Sequence, residues 1–325
     1  MLAAAALCTG AYLLNCSWLA SRSSGRPRLL AQRGIHQSYR REEIDDRTCT
    51  ARLIATPTHA LIENTLPSID AAFEMGADAV EVDIRLTKDR QFVLFHDGAL
   101  ECRTDGHGLL AEHTLAELRT LDVGFGYTAD EGRTFPLRGR GIGLMASLEE
   151  ALRAHRQARF VIQFKDADAS SADSMVSYLE TRDLTQWNRL SFFGAIRPLE
   201  RLSVLRPAAR VWSAGAVARC LRRYILIGWT GYVPEACADG VVIVPVTQAG
   251  YLWGWPNRFL ARMRERHTEV MLIGRIAGFS GSNFSRLDSA EEMKQVPLGF
   301  DGTIWTDHIE IVAPAVVAAI SAKGH

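Results

Sequence analysis

At 325 residues, 47% of them hydrophobic, the chain is long enough to bury a large core. Its 37 basic residues balance 37 acidic ones, so no net positive field draws it toward nucleic acid and no such partner is expected. No internal repeat or low-complexity tract is present, which excludes a solenoid and a largely disordered chain.

In chain order, the first feature is Leu2 to Ala20, a largely apolar run of about the length that crosses a bilayer, followed by the basic Arg22, Arg26 and Arg28. Residues 1–25 are expected to be a membrane anchor or signal segment, and residues 26–325 one catalytic domain. A cleaved secretory signal is the alternative, although a basic leader before the apolar run is missing. Basic residues just after the run favour a cytoplasmic domain by the positive-inside rule. The cysteines argue the other way. Outside the leader, Cys49, Cys102, Cys220 and Cys237 form an even set, consistent with two disulfides in an oxidising compartment such as the periplasm. The expected pairs are Cys49 with Cys102 and Cys220 with Cys237.

Strand candidates follow at Leu29 to Arg33, Ala79 to Ile84, Phe160 to Lys165, Leu190 to Phe193, Arg210 to Trp212, Val241 to Val244, Val270 to Ile273 and Thr303 to Trp305. Between them, helical patterns fall at Leu66 to Met75, Leu148 to His155, Ala172 to Thr181, Arg258 to Arg266 and, at the end, Ala313 to Ala322. Such alternation predicts an α/β fold, a (β/α)8 TIM barrel whose site lies at the C-terminal ends of its strands. Phe92 to about Ala146 is extra to a plain barrel, an insertion after the second strand. Its glycine-rich part, Gly124 to Gly143 with Arg133, Arg138 and Arg140, reads as a surface insertion that could roof the site. Trp229 to Phe259 is dense in aromatics, which suit a bilayer interface, an apolar substrate tail or loop packing.

The chemistry concentrates between Glu63 and Asp97. Glu81 and Asp83 are two residues apart on one strand and share a face, where two carboxylates repel unless a cation sits between them. Hard cations take oxygen ligands of this kind, and Glu63 would add a third. A turn at Lys88, Asp89 and Arg90 leads to a second apolar strand that ends in His96 and Asp97. Histidine beside a metal reads as a general acid or base. Singly, each feature is ordinary strand-edge or surface polarity; Glu63, Asn64, Glu81, Asp83, His96 and Asp97 together are not.

In these residues the chain resembles the glycerophosphodiester phosphodiesterases, whose pattern is His-Arg-Gly, Glu-Asn-Thr, Glu-x-Asp and His-Asp. Residues 76–83 (GADAVEVD), 87–89 (TKD), 103–108 (RTDGHG) and 299–307 (GFDGTIWTD) are similar to further stretches of that family. The resemblance implies metal-dependent hydrolysis of a small-molecule or lipid phosphodiester to glycerol 3-phosphate and an alcohol. It implies Mg2+ or Ca2+ held by Glu63, Glu81, Asp83 and Gln163, His96 as acid or base, phosphate clamped by Arg33 and Lys165, and a substrate contact from Trp305. Two departures stand out. Gln32 precedes Arg33 and Gly34 where the family has histidine, and Gln163 begins Gln-Phe-Lys where the family commonly has Glu-x-Lys. Glutamine cannot move a proton as an imidazole does, so turnover is expected to be weak, while its amide oxygen can still coordinate a hard cation. His36 is a possible substitute, although its place after Gly34 suggests a surface loop. A non-catalytic headgroup-binding protein and a lysophospholipase D-type activity are the alternatives.

Overall fold

The computed structural model describes residues 2–39, 48–277 and 283–321. Helices and strands alternate in the order α1 (Leu2–Asn15), β1 (Arg28–Gln32), α2 (Leu66–Glu74), β2 (Ala79–Leu86), β3 (Phe92–Leu94), α3 (Leu115–Leu118), α4 (Leu148–Ala154), β4 (Arg159–Phe164), α5 (Ser170–Thr181), β5 (Leu190–Gly194), α6 (Ile196–Leu205) and β6 (Arg210–Val211). The chain continues through α7 (Ala214–Ile227), β7 (Val241–Pro245), α8 (Asn257–Glu265), β8 (Glu269–Ile273), β9 (Ile276–Ala277), β10 (Asn283–Phe284), α9 (Ala290–Met293), β11 (Thr303–Thr306) and α10 (Ile309–Ser321). The expected strands fall within one or two residues of β1, β4 to β8 and β11, while β2 runs two residues further, to Leu86. Helices α6 and α7 were not foreseen, and Ala322, the last residue of the expected final helix, lies outside the described residues. Two compact units result: Ala31–Val211, and Met1–Leu30 together with Trp212–His325.

In the first unit β2, β4, β5 and β6 pair in parallel, with Asp83 opposite Gln163. The strands are near-continuous runs of Val, Ile and Phe, as parallel strands covered on both faces require; Val80, Val82, Ile162 and Phe192 have no solvent exposure. Thr87 N–H donates to Gln91 O at 2.9 Å and closes the turn that folds β3 back antiparallel onto β2. Ser147 caps α4 through a reciprocal bond pair with Glu150. The extra segment builds its own apolar cluster from Phe95, Leu100, Leu118, Val123, Tyr127 and Leu137, joined by Ala51 and Ile54. It is therefore partly core, not only the surface insertion expected.

In the second unit β7, β8 and β11 are parallel, with Ile243 opposite Met271 and Thr303 opposite Met271 on its other side. Trp305 is buried there, its ring edge-on to Trp212 at 6.1 Å and under the Arg286 guanidinium at 4.7 Å. The apolar leader forms a 14-residue helix that ends at Asn15, then a short 3-10 turn at Ser17–Leu19. A bilayer needs about 20 helical residues. Among the described residues no helix is long and apolar enough to cross a membrane, so the spanning helix expected over Leu2 to Ala20 is not formed. Asn15 is the physical stop: its side-chain amide bonds Ala11 O and Trp229 O instead of continuing an apolar surface.

Candidate active site

All the residues of the motif cluster lie in the unit Ala31–Val211. At the end of β1 the chain turns through two left-handed residues, Arg33 (φ 54°) and Gly34 (φ 78°). A Cβ on Gly34 would stand 2.2 Å from Ser68 Oγ, so only glycine fits between the turn and α2. Ser68 Oγ donates in turn to the carbonyls of Arg33 and Ile35. The turn swings the Arg33 guanidinium inward, with Nη1 2.9 Å from Glu63 Oε1 and Nε 2.7 Å from Asp83 Oδ2. Asn64, also left-handed (φ 57°), donates through Nδ2 to Asp83 Oδ2 at 3.0 Å and accepts from Asp83 N–H at 3.1 Å. Lys165 Nζ stands 3.5 Å from Asp83 Oδ1.

A second buried cation completes the array. Arg103 Nη1 lies 3.1 Å from Glu63 Oε2 and 2.9 Å from Tyr127 Oη, its Nη2 donates to Thr50 Oγ1 at 2.7 Å, and its Nε meets Asp97 Oδ2 at 2.8 Å. Asp97 Oδ1 in turn holds His96 Nδ1 at 2.7 Å. Disulfides join Cys49 to Cys102 and Cys220 to Cys237. The first places Thr50 and Arg103 next to its two half-cystines. Neither Arg103 nor Tyr127 was given a role from sequence; the only signal was the Arg-Thr-Asp-Gly stretch following Cys102.

Electrostatics follow from this alternation of charge. Burial alone would raise Asp83, yet Arg33 and then Lys165 outweigh it and hold the carboxyl far below its ordinary range. Burial likewise opposes ionisation of Glu63 and Asp97, and Arg103 overcomes it in both. His96 is pushed down to about 4, first by burial and then by Arg33, against the pull of Asp83 and Asp97. An ionised Asp97 can only accept, so Nδ1 of the neutral imidazole carries the proton and Nε2 is left basic.

The expected metal ligands carry cations in this structure: both oxygens of Glu63 face Arg33, Arg103 and Tyr127, and Asp83 faces Arg33 and Lys165. Among the described residues no group of three or more His, Cys, Asp or Glu side chains is placed to hold an ion. Glu81, Asp83 and Gln163 do fit a hard cation in donor chemistry. The first two share a face of β2, and Gln163 is directly opposite Asp83 on β4.

Gln32, the last residue of β1, is buried where the resemblance expects histidine. His36 is buried too, contrary to the surface loop expected: its Nδ1 lies 2.9 Å from Gln37 O and its ring 5.7 Å from that of Tyr39. A small cleft is lined by Glu63, Asn64, His96, Arg103 and Tyr127 among others, so the insertion reaches the site through Tyr127. Trp305, expected to touch substrate, belongs to the other compact unit.

The fold class is α/β, of the TIM-barrel type. A glycerophosphoryl diester phosphodiesterase domain from Mycobacterium tuberculosis superposes with a TM-score of 0.62 at 14% identity, covering 90% of this chain and 99% of that one. A phosphodiesterase of Oleispira antarctica, solved in complex with the product sn-glycerol-3-phosphate, superposes with a TM-score of 0.55 at 17% identity, covering 90% and 97%. Residues 47–190 match the model of the glycerophosphoryl diester phosphodiesterase family. A putative glycerophosphodiester phosphodiesterase of Bacillus subtilis is 38% identical over 105 residues, 32% of this chain and 39% of the relative. A second B. subtilis glycerophosphodiester phosphodiesterase is 34% identical over 108 residues, 33% of this chain and 36% of the relative. The matched stretch thus spans well under half the length of these curated relatives. Residues 47–190 are thus similar to the glycerophosphodiester phosphodiesterases.

Proposed function

We propose that the protein hydrolyses glycerophosphodiesters to glycerol 3-phosphate and an alcohol, slowly because Gln32 stands where an imidazole is expected. The carrying observation is the His96–Asp97 pair, 2.7 Å apart, with the imidazole held neutral and its Nε2 basic. His96 takes the proton from the attacking water or substrate hydroxyl. Arg33 and Lys165 offer donors to the phosphate oxygens, and the paired carboxylates keep both cations oriented. Gln32 gives the departing alcohol no acid, so the proton it needs comes from solvent. A divalent cation at Glu81, Asp83 and Gln163 would supply charge stabilisation at phosphorus. With an amide for one carboxylate its affinity is reduced, and calorimetry with Mg2+ or Ca2+ should show Gln163→Glu binding more tightly than wild type.

Release of glycerol 3-phosphate from glycerophosphocholine and from lysophospholipid, with Mg2+, Ca2+ or chelator, tests the activity and separates a lysophospholipase D-type preference. Release that disappears in His96→Ala supports hydrolysis. No release with any metal, alongside phosphodiester binding, supports the second reading, a non-catalytic headgroup-binding protein, which Gln32 and Gln163 favour.

An extracytoplasmic location is part of the same proposal. Its support is the pair of disulfides, which persist in oxidising compartments. Peptide mass mapping of the non-reduced protein should recover both bridges; four free thiols would sink the placement.

A further inference from the structure

Arg262, buried between α8 and α7, gathers three surface segments of its unit. Its Nη1 donates to Tyr224 Oη at 2.8 Å, Asn15 Oδ1 at 3.0 Å and Gly228 O at 3.3 Å, and its Nη2 to Leu14 O at 2.9 Å. Asn15 Nδ2 donates to Trp229 O at 2.7 Å, Trp253 Nε1 to Ile225 O at 2.8 Å, and Asn257 N–H to Ser17 Oγ at 2.9 Å. The polar atoms of residues 12–19, 225–232 and 251–253 are thus drawn inward to one hub. Their large apolar side chains are left outside: Trp18 is 72% exposed, Leu226 71% and Tyr251 77%, with Trp229, Tyr232 and Trp253 also exposed.

Scattered exposed apolar residues need no explanation, but a contiguous patch does. This one is made chiefly of tryptophan and tyrosine, whose apolar bodies and polar edges suit the bilayer interface. Charge selects the partner. Residues 1–41, 201–234 and 240–264 contain no Asp or Glu, while the exposed Arg222 and Arg223 sit on α7 one turn before Ile225–Ile227. The arginines of α7 complement anionic headgroups, and the exposed Glu235, three residues beyond Tyr232, is paired with Arg266.

We propose that this face docks on the surface of an anionic lipid bilayer, an in-plane attachment that needs no membrane-crossing helix. The full chain is mixed with phosphatidylcholine vesicles, with or without about a third phosphatidylglycerol, and tryptophan emission and flotation are followed. The expected result is a blue shift, quenching by brominated acyl chains, and partitioning at least about tenfold stronger on the anionic vesicles, weakened by salt. Trp18→Ser with Trp229→Ser should reduce the shift to what Trp253 alone gives and lower partitioning at least about tenfold. Arg222→Glu with Arg223→Glu should remove the anionic preference, whereas Arg133→Glu, exposed in the other unit, should leave it intact. Absence of bromolipid quenching on both vesicles overturns the proposal, as does an equal loss in Arg133→Glu. So does a lipid-free dimer that shields the same tryptophans, which would make a second copy the occupant. None of these readouts depends on turnover.

Discussion

Arg103 Nε lies 2.8 Å from Asp97 Oδ2, directly behind the carboxylate that holds His96. The same guanidinium contacts Glu63, Tyr127 and Thr50, so a single side chain ties together the β3 end, the insertion and the loop after β1. Arg103→Ala would strip the buried Glu63 and Asp97 of their cation, and is expected to cost about 3–5 kcal/mol. Arg103→Lys should fall between, because an ammonium cannot fork to four partners. Urea unfolding of the three proteins checks this; a loss below about 1 kcal/mol in Arg103→Ala would mean that water already solvates the array.

The Cys49–Cys102 bridge closes a loop of 53 residues. Chain entropy alone assigns such a crosslink about 4 kcal/mol. Cys49→Ser with Cys102→Ser is therefore expected to be less stable by up to about that amount. It should also loosen Thr50 and Arg103, seen as faster amide exchange in the insertion than in β4 and β5. Equal acceleration everywhere would contradict a local role.

Burial and Arg33 lower His96 to about 4 in the folded protein, against about 6.5 in an unfolded chain. Protonation between those values favours the unfolded state, so this group's contribution to stability is complete above about pH 6.5 and lost as pH falls through 4. The loss at pH 4 amounts to about 3 kcal/mol. Urea titrations at pH 7 and pH 4 should show a smaller drop in His96→Gln than in wild type. The acid limb of kcat/KM should likewise fall near pH 4, with activity retained at pH 5; a midpoint near 6.5 would refute a buried neutral base.

Gln32→His restores an imidazole at the end of β1. If hydrolysis is limited by the unprotonated leaving alcohol, kcat/KM for glycerophosphocholine should rise by about 10²-fold or more. Bis(4-nitrophenyl) phosphate, whose leaving group needs no proton, should gain little. A gain under about tenfold on both would mean that the buried His36 or water already fills the role.

Much of this was legible in the sequence because it is local. Hydrophobic period two and the short apolar runs place β2, β4, β7 and β8. The two-residue spacing of Glu81 and Asp83 puts both on one face, and an apolar run ending in His96 and Asp97 points to a strand end. Helices α6 and α7 were missed although their apolar residues recur at helical spacing, Leu199 and Leu202 in one and Val217, Cys220 and Tyr224 in the other, all of them buried. The apolar leader was read as a spanning segment from composition, whereas the partners of Asn15 end its helix at 14 residues.

The residue types of the site, including glutamine at 32 and 163, are thus sequence properties. Which cation faces each carboxylate is not. Only folding brings Arg33 and Arg103 onto Glu63 from 30 and 40 residues away. Charge pairing in a dry interior depends on distance in space, and no spacing along the chain encodes it.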